Sequence, residues 1–214
     1  MMKNHIAIIA NGDIRDYSFL KKQLKSADII ICADGGTSHA NHLGLTPDYI
    51  IGDFDSIHSE ILTHFKQKKE VTIIEDHNQE KTDLELAISL AETLDPKEIS
   101  IYGALGRRID HTLANLYSLT KIESNVKTRI IDKTNTVELI DKPENIQGKK
   151  DDVISIIPIS HMKDFLLTGF KWNVDHIDTK PGWFGVSNRL QESNASVSFS
   201  DGKFLLVRVK SDEE

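Results

Sequence analysis

From Ile6 to Thr120 the chain alternates short apolar runs with segments whose apolar residues recur at helical spacing. Ile6-Ala7-Ile8-Ile9-Ala10 has the length and continuity of a buried strand and closes at Asn11-Gly12. Asp28 to Ala33, Tyr49-Ile50-Ile51, Val71 to Ile74 and Ile99 to Tyr102 repeat the pattern; Gly35-Gly36, Gly52 and Gly103 break the second, third and fifth runs. Ser18 to Lys25, Thr37 to Leu43 and Ser59 to Lys68 read as helices. Leu84, Ala87, Ile88, Ala91 and Leu94 mark a helical face before Pro96, and Leu113, Leu116, Tyr117 and Thr120 mark another. Strands alternating with helices predict a mostly parallel sheet covered on both sides.

The pattern changes near residue 124. Thr128 to Ile131, Thr136 to Ile140, Val153 to Ile159, Ala195 to Phe199 and Phe204 to Val209 are short and β-rich, and no segment has the length and period of a helix. Asp201-Gly202 between the last two runs is a hairpin-turn signal. The expected organisation is an α/β domain over 1–124 and a small antiparallel sandwich or barrel over 125–214.

Composition narrows the function. The chain has 214 residues with 26 Lys plus Arg against 33 Asp plus Glu, a net charge of −7, which weighs against nucleic acid as the partner. The basic pair Arg107-Arg108 is too short to track a phosphate backbone. A single cysteine, Cys32, lies in an apolar run and reads as buried filler. No stretch approaches the length of a membrane span, and the five-residue apolar run near the N-terminus is shorter than a signal peptide needs, so a cytoplasmic protein is expected.

The acidic residues are placed non-randomly. Asp34 follows the second predicted strand, Asp53 and Asp55 follow the third in Gly52-Asp53-Phe54-Asp55-Ser56, and Asp83 opens the helix after the fourth. In open α/β sheets, ligands bind beyond the carboxyl ends of the strands, so one rule brings four carboxylates to one mouth. If the D-x-D segment is extended, the two carboxylates project the same way. A hard divalent cation relieves their repulsion, and an Asp cluster without Cys selects Mg²⁺ or Mn²⁺ over zinc. Each residue also has a plainer role. Asp34 is a turn residue before Gly-Gly, and Asp53 and Asp55 cap a turn and the following helix. Thr82-x-x-Glu85 fits a capping box in which Asp83 merely favours the helix dipole, and Asp110 is an N-cap. Gly103 to Arg108 joins a strand to a helix, where backbone N–H groups can cradle phosphate and Arg108 can add a charged contact, but it matches neither a P-loop nor a dinucleotide fingerprint.

Ala33-Asp34-Gly35-Gly36, Gly52 to Ser56, Lys81-Thr82-Asp83, Gly103 to His111 (GALGRRIDH), Gly169-Phe170-Lys171-Trp172 and Ser187-Asn188 occur in order along nearly the whole chain. Together they resemble the successive motifs of thiamine pyrophosphokinases. The resemblance implies an N-terminal α/β domain, a C-terminal β-sandwich and a homodimer with active sites between subunits. It implies that Asp53, Asp55 and Asp83 hold Mg²⁺ and carry the catalysis, and that Asp34, Gly35, Gln79, Thr82, Gly103, Arg108, Asp110 and His111 bind ATP. Trp172 would lie against a thiamine ring, with Ser187 and Asn188 hydrogen-bonding nearby. On the residues alone, Trp172 reads better as a packing aromatic, and His111 as a satisfied helix-start histidine. The family's glycine loop often reads G-G-x-G-G-R, whereas this chain has Ala104 and Arg107 at the second and fifth positions.

The expected reaction is transfer of diphosphate from Mg·ATP to the thiamine hydroxyl, giving thiamine diphosphate and AMP. Two other classes fit parts of the pattern: a metal-dependent glycosyltransferase or phosphohydrolase using the D-x-D, and a non-catalytic thiamine- or nucleotide-binding protein.

Overall fold

The computed structural model describes residues 5–78, 80–106, 108–122 and 125–210. The chain divides into two compact units, Met1–Lys133 and Thr134–Glu214. In the first, β1 (His5–Ile9), β2 (Ile29–Ala33), β3 (Tyr49–Gly52), β4 (Thr72–Glu75), β5 (Glu98–Tyr102) and β6 (Lys127–Ile131) all pair in parallel, in the order β6-β5-β1-β2-β3-β4. The helices are α1 (Tyr17–Leu24), α2 (Thr37–His42), α3 (Ser59–Lys66), α4 (Asp83–Thr93) and α5 (Ile109–Ser118).

Side chains alternate across a strand, which explains the continuous apolar runs. Ala7 and Ile9 of β1 pack with Leu20 and Leu24 of α1, Ala40 of α2 and Phe65 of α3. Ile6 and Ile8, also fully buried, face the other way, where α4 covers the strands with Leu84, Ala87, Ile88 and Ala91. The strand order reverses between β1 and β5, so the chain leaves these two neighbours in opposite directions and opens a crevice at their carboxyl ends.

The expected boundary near 124 falls short of the division at Lys133. The run Thr128 to Ile131, read with the C-terminal half, belongs to β6 and extends the parallel sheet beside β5. Cys32 is fully buried, and burial pushes its thiol pKa far up, as expected of a filler.

In the second unit, β12 (Gly185–Arg189), β9 (Val153–Pro158), β14 (Phe204–Val209) and β7 (Asn135–Ile140) form one antiparallel sheet in that order. The second is β11 (Val174–Thr179), β10 (Met162–Thr168), β13 (Asn194–Ser198) and β8 (Glu144–Gln147). Phe204, Leu206, Ile154 and Ile156 of one meet Phe165, Leu167, Val197 and Ile146 of the other in one core, which makes the unit a sandwich. The Asp201-Gly202 turn therefore does not close a two-stranded hairpin. It carries the chain from β13 in one sheet to β14 in the other.

Candidate functional site

At the carboxyl ends of the first unit's strands lies a cavity of about 710 Å³ lined by residues 10–13 after β1, Asp53 and Ser56 after β3, residues 76–78 after β4, Lys81 to Leu84 at the start of α4, and Gly103 to His111 in part. It sits where the strand order reverses. Asp53 and Asp83 line it, and Asp34 and Asp55 lie beside Asp53. Oxygens of Asp34, Asp53 and Asp55 lie within 4.8 Å of one another.

Asp34 is the unusual member. It begins a 3-10 turn with φ of 41° and is only 1% exposed, yet neither carboxylate oxygen has a hydrogen-bond partner. Burial raises its pKa; the nearby Ser56 hydroxyl and Gly35 N–H, though outside hydrogen-bond geometry, lower it in part, and the charges of Asp55 and Asp53 raise it again. A buried carboxylate without a well-formed hydrogen bond is costly unless a cation meets it. This orphaned charge distinguishes the trio from an ordinary acidic surface, and the all-oxygen donor set fits Mg²⁺.

Asp53 and Asp55 come together by a different route from the expected extended alternation. The residue between them, Phe54, has φ of 66°, so the segment is a tight turn in which the Asp55 N–H donates to Asp53 Oδ1 at 3.1 Å. Ser56 Oγ donates to Asp55 Oδ1 at 2.8 Å. Asp53 thus closes a turn, but neither residue caps α3, whose N-cap is His58.

Asp83, in the first turn of α4, stands beside the trio and not within it. Its Oδ1 lies 3.1 Å from the point a Cβ on Gly52 would occupy, and the Asp34 Cβ lies 2.8 Å from that point. Gly52 has φ of 151°, and only glycine lets Asp34 and Asp83 approach each other over the end of β3. Burial raises the Asp83 pKa to about 6, with contributions from Asp34, Asp53 and Asp55. Thr82 makes the predicted capping box, accepting from the Glu85 N–H while Glu85 accepts from the Thr82 N–H. Glu85 also pairs with Lys121.

On the other side of the cavity, Gly103 has φ of 67°, whereas Ala104 is buried without a positive φ, so the departure from glycine there costs the loop nothing. Asn115 Nδ2 donates to the Ala104 carbonyl at 2.8 Å and secures the loop. Arg108 and Asp110 face each other as a two-point pair, Nε to Oδ1 at 3.2 Å and Nη2 to Oδ2 at 2.6 Å. That pair holds the Asp110 pKa down to about 2. Asp110 is not the N-cap of α5, a position taken by Arg108 without a side-chain cap. Both line the cavity with His111. Gly35 lies beside Asp34, with the Asn11 amide where a Cβ would go. Gln79 and Arg107 lie outside the described residues. Sequence reasoning passed over Asn11, His77 and Asn115 as cavity residues; position after strands β1 and β4 was the available signal for the first two.

In the second unit, a cavity of about 270 Å³ is lined by Leu167, Trp172, Val174, Trp183, Phe184, Gly185, Val186 and Asn188. Trp172 is 53% exposed, not a core aromatic, and the ammonium of Lys171 lies 4.6 Å from its ring centre. Its ring thus already attracts a cation. Asn188 is buried and holds the Trp172 backbone at both ends: Oδ1 accepts from Trp172 N–H at 3.1 Å and Nδ2 donates to Trp172 O at 2.7 Å. Its amide therefore positions the indole. Ser187, exposed at φ of 58°, sits in a bulge of β12 and donates its N–H to Ser155 Oγ at 3.0 Å.

Comparison with known proteins bears on both units. Residues 20–131 match the model of the thiamin pyrophosphokinase catalytic domain, and residues 137–204 match that of the thiamin pyrophosphokinase vitamin B1 binding domain. The chain is 32% identical over 209 residues to a thiamine pyrophosphokinase of Bacillus subtilis (strain 168), covering 95% of this chain and 97% of that one. A crystal structure of thiamine pyrophosphokinase from Bacillus subtilis superposes with a TM-score of 0.83 at 29% identity, over 97% of this chain and 100% of the other. That of thiamin pyrophosphokinase from Geobacillus thermodenitrificans gives 0.83 at 25% identity, over 98% and 99%.

Proposed function

The chain belongs to the thiamine pyrophosphokinase family, enzymes that transfer diphosphate from ATP to thiamine, and from that premise we propose how its residues divide the work. The observation that carries the reading is the buried carboxylate of Asp34 grouped with Asp55 and with Asp53, which lines the larger cavity. Asp53, Asp55 and Asp83, joined by Asp34, would hold Mg²⁺. Bound there, the ion would neutralise phosphate charge. Gly35, Thr82 and Gly103 are the backbone and capping positions against which the nucleotide lies. Arg108 and Asp110 stand at the far rim, where the guanidinium can exchange its carboxylate partner for phosphate. Gln79 and His111 are assigned to the nucleotide on the family likeness.

The reaction needs no protein nucleophile. The thiamine hydroxyl oxygen bonds to the β-phosphorus of ATP, the bond from that phosphorus to the α–β bridging oxygen breaks, and AMP leaves with the electron pair. The task for the protein is positioning and charge stabilisation. One carboxylate of the site, Asp83 in our reading, would accept the hydroxyl proton. Incubating the purified protein with ATP, Mg²⁺ and thiamine is expected to give equimolar AMP and thiamine diphosphate. Free phosphate, or AMP without thiamine, would overturn the reading.

For thiamine, a flat cation, we assign the smaller cavity, with Trp172 as the stacking face, Asn188 as its clamp and Ser187 at the rim. Stacking plus cation–π attraction is worth about 0.5–2 kcal/mol. Trp172→Ala is expected to raise the KM for thiamine about tenfold or more and leave that for ATP within about twofold. Asn188→Ala should follow in the same direction, because the indole loses its fixed orientation. Equal effects on both substrates would refute the assignment.

We also propose a homodimer with active sites at the subunit interface. Ile109, Leu113 and Tyr117 lie one turn apart on α5 at 68%, 51% and 54% exposure, an apolar stripe suited to burial against a second copy. A monomeric mass for the active enzyme in sedimentation would overturn this. Among the described residues no helix is long and apolar enough to cross a membrane. We take the enzyme to be cytoplasmic, which cell fractionation tests.

A further inference from the structure

His39 lies on α2 outside the wall of the larger cavity, yet it is tied to that wall. Its Nε2 is 2.9 Å from the Gly12 carbonyl and its Nδ1 is 2.8 Å from Tyr17 Oη. A carbonyl only accepts, so Nε2 carries the hydrogen. Nδ1 then presents its lone pair, and the Tyr17 hydroxyl must donate to it. The two partners fix one tautomer. The ring is partly buried, and burial lowers its pKa below the ordinary value, which keeps it neutral.

Gly12 passes the constraint on. Its N–H donates to the Gly103 carbonyl at 2.6 Å, and a Cβ on Gly12 would fall 2.3 Å from that oxygen, so the two backbones are in direct contact. One chain of hydrogen bonds thus runs from Tyr17 on α1 through His39 on α2 to the loop after β1, and from there to the loop after β5. Both loops line the cavity at the point where the strand order reverses.

We propose that His39 is a positioning residue for the nucleotide. By holding Gly12, it sets the spacing between the Asn11-Gly12 loop and the Gly103 to Gly106 turn, and so the fit of the ATP phosphates between them. The inference rests on the assignment of this cavity to ATP. His39 touches no substrate; it acts through Gly12. A histidine that merely satisfies its own hydrogen bonds would affect stability alone.

Two polar substitutions separate these roles. In His39→Gln the amide nitrogen reaches the position of Nε2 and still donates to the Gly12 carbonyl. In His39→Asn the shorter amide reaches only the position of Nδ1 and leaves that carbonyl without its donor. His39→Asn is expected to raise the KM for ATP about tenfold, with kcat and the KM for thiamine within about twofold of wild type. His39→Gln is expected to keep the KM for ATP within about threefold. Tyr17→Phe, which removes only the donor to Nδ1, should give an intermediate rise in the KM for ATP. Identical KM values for ATP in the Asn and Gln variants would overturn the proposal, as would parallel losses in kcat and both KM values that follow the melting temperature. Failure of the wild-type enzyme to form AMP from ATP would overturn the cavity assignment and the role of His39 together. Wild-type turnover with no Asn–Gln difference would overturn the role of His39 alone.

Discussion

Asp55→Asn is expected to lower kcat by about 10³-fold while leaving the melting temperature within about 2 °C of wild type. Asp55 is exposed, and an Asn there keeps the shape of the side chain and an oxygen to accept from Ser56 Oγ. The substitution removes one thing, a negative charge within 4.8 Å of Asp34 and Asp53. If that charge serves only the turn, its loss is nearly neutral, because the turn is closed by Asp53 accepting from the Asp55 backbone. If it holds a cation against the ATP phosphates, the loss falls on the transition state, where about 4 kcal/mol corresponds to 10³-fold. Residual activity should then need a higher Mg²⁺ concentration for half-saturation. Steady-state turnover over a Mg²⁺ titration, beside a thermal melt, separates the two readings. A folded variant with wild-type turnover would remove Asp55 from the site.

How much of this was legible in the sequence depended on whether a residue's role was local or distant. The parallel strands announced themselves, because a strand buried on both faces must be apolar throughout, as Ile6 to Ile9 are. The sandwich strands were half legible. β11 (VDHIDT) and β12 (GVSNR) show no clean alternation, since β10 and β11 shift register around Phe165 and β12 bulges at Ser187. Positive φ at Asp164 and His176 belongs to the same irregularity. On α5 the period gave the right element, but Leu113 and Tyr117 of its apolar face are exposed to solvent. Periodicity reports that a face is apolar and not what covers it.

The site divides in the same way. Strand ends brought Asp34, Asp53, Asp55 and Asp83 to one mouth by topology, and a single sequence can show that. The convergence of Asp53 and Asp55 arises from a left-handed residue at Phe54, for which no glycine or asparagine gave warning. Asn188 announced itself only through the family likeness; that its amide bonds the Trp172 backbone at both ends is visible only in the structure. His39 carried no signal, because its partners Tyr17 and Gly12 are far from it in sequence and meet it only once α1, α2 and β1 have packed.

The second large effect concerns stability and has the opposite sign to the first. Asp34→Asn is expected to inactivate the enzyme and yet raise the melting temperature of the metal-free protein by about 5 °C at pH 7.5. A carboxylate buried without a well-formed hydrogen bond costs on the order of 1–3 kcal/mol, and at this chain length each kcal/mol moves the midpoint by roughly 2–4 °C. Asparagine keeps the shape, tolerates the left-handed conformation at φ of 41°, and carries no charge. The gain should depend on pH in a definite direction. Asp34 and Asp83 both have raised pKa values in the folded protein, Asp83 to about 6 from an ordinary 3.8. A group with a raised folded pKa contributes stability in full below its unfolded value and loses it as the pH rises through the folded value. Wild type and variant should therefore melt closest together at the acid end, where Asp34 is protonated in the fold, diverge as the pH rises through the raised pKa of Asp34, and keep a constant gap above it. Subtracting the two curves cancels the histidines, which titrate in both. Mg²⁺ should reverse the order at pH 7.5, raising the melting temperature of wild type and leaving the Asn variant nearly unmoved, because a ligand stabilises only the state that binds it. An Asn variant less stable than wild type without metal at pH 7.5 would show that the Asp34 charge is compensated within the protein. The cavity would then lose its strongest sign of a cation.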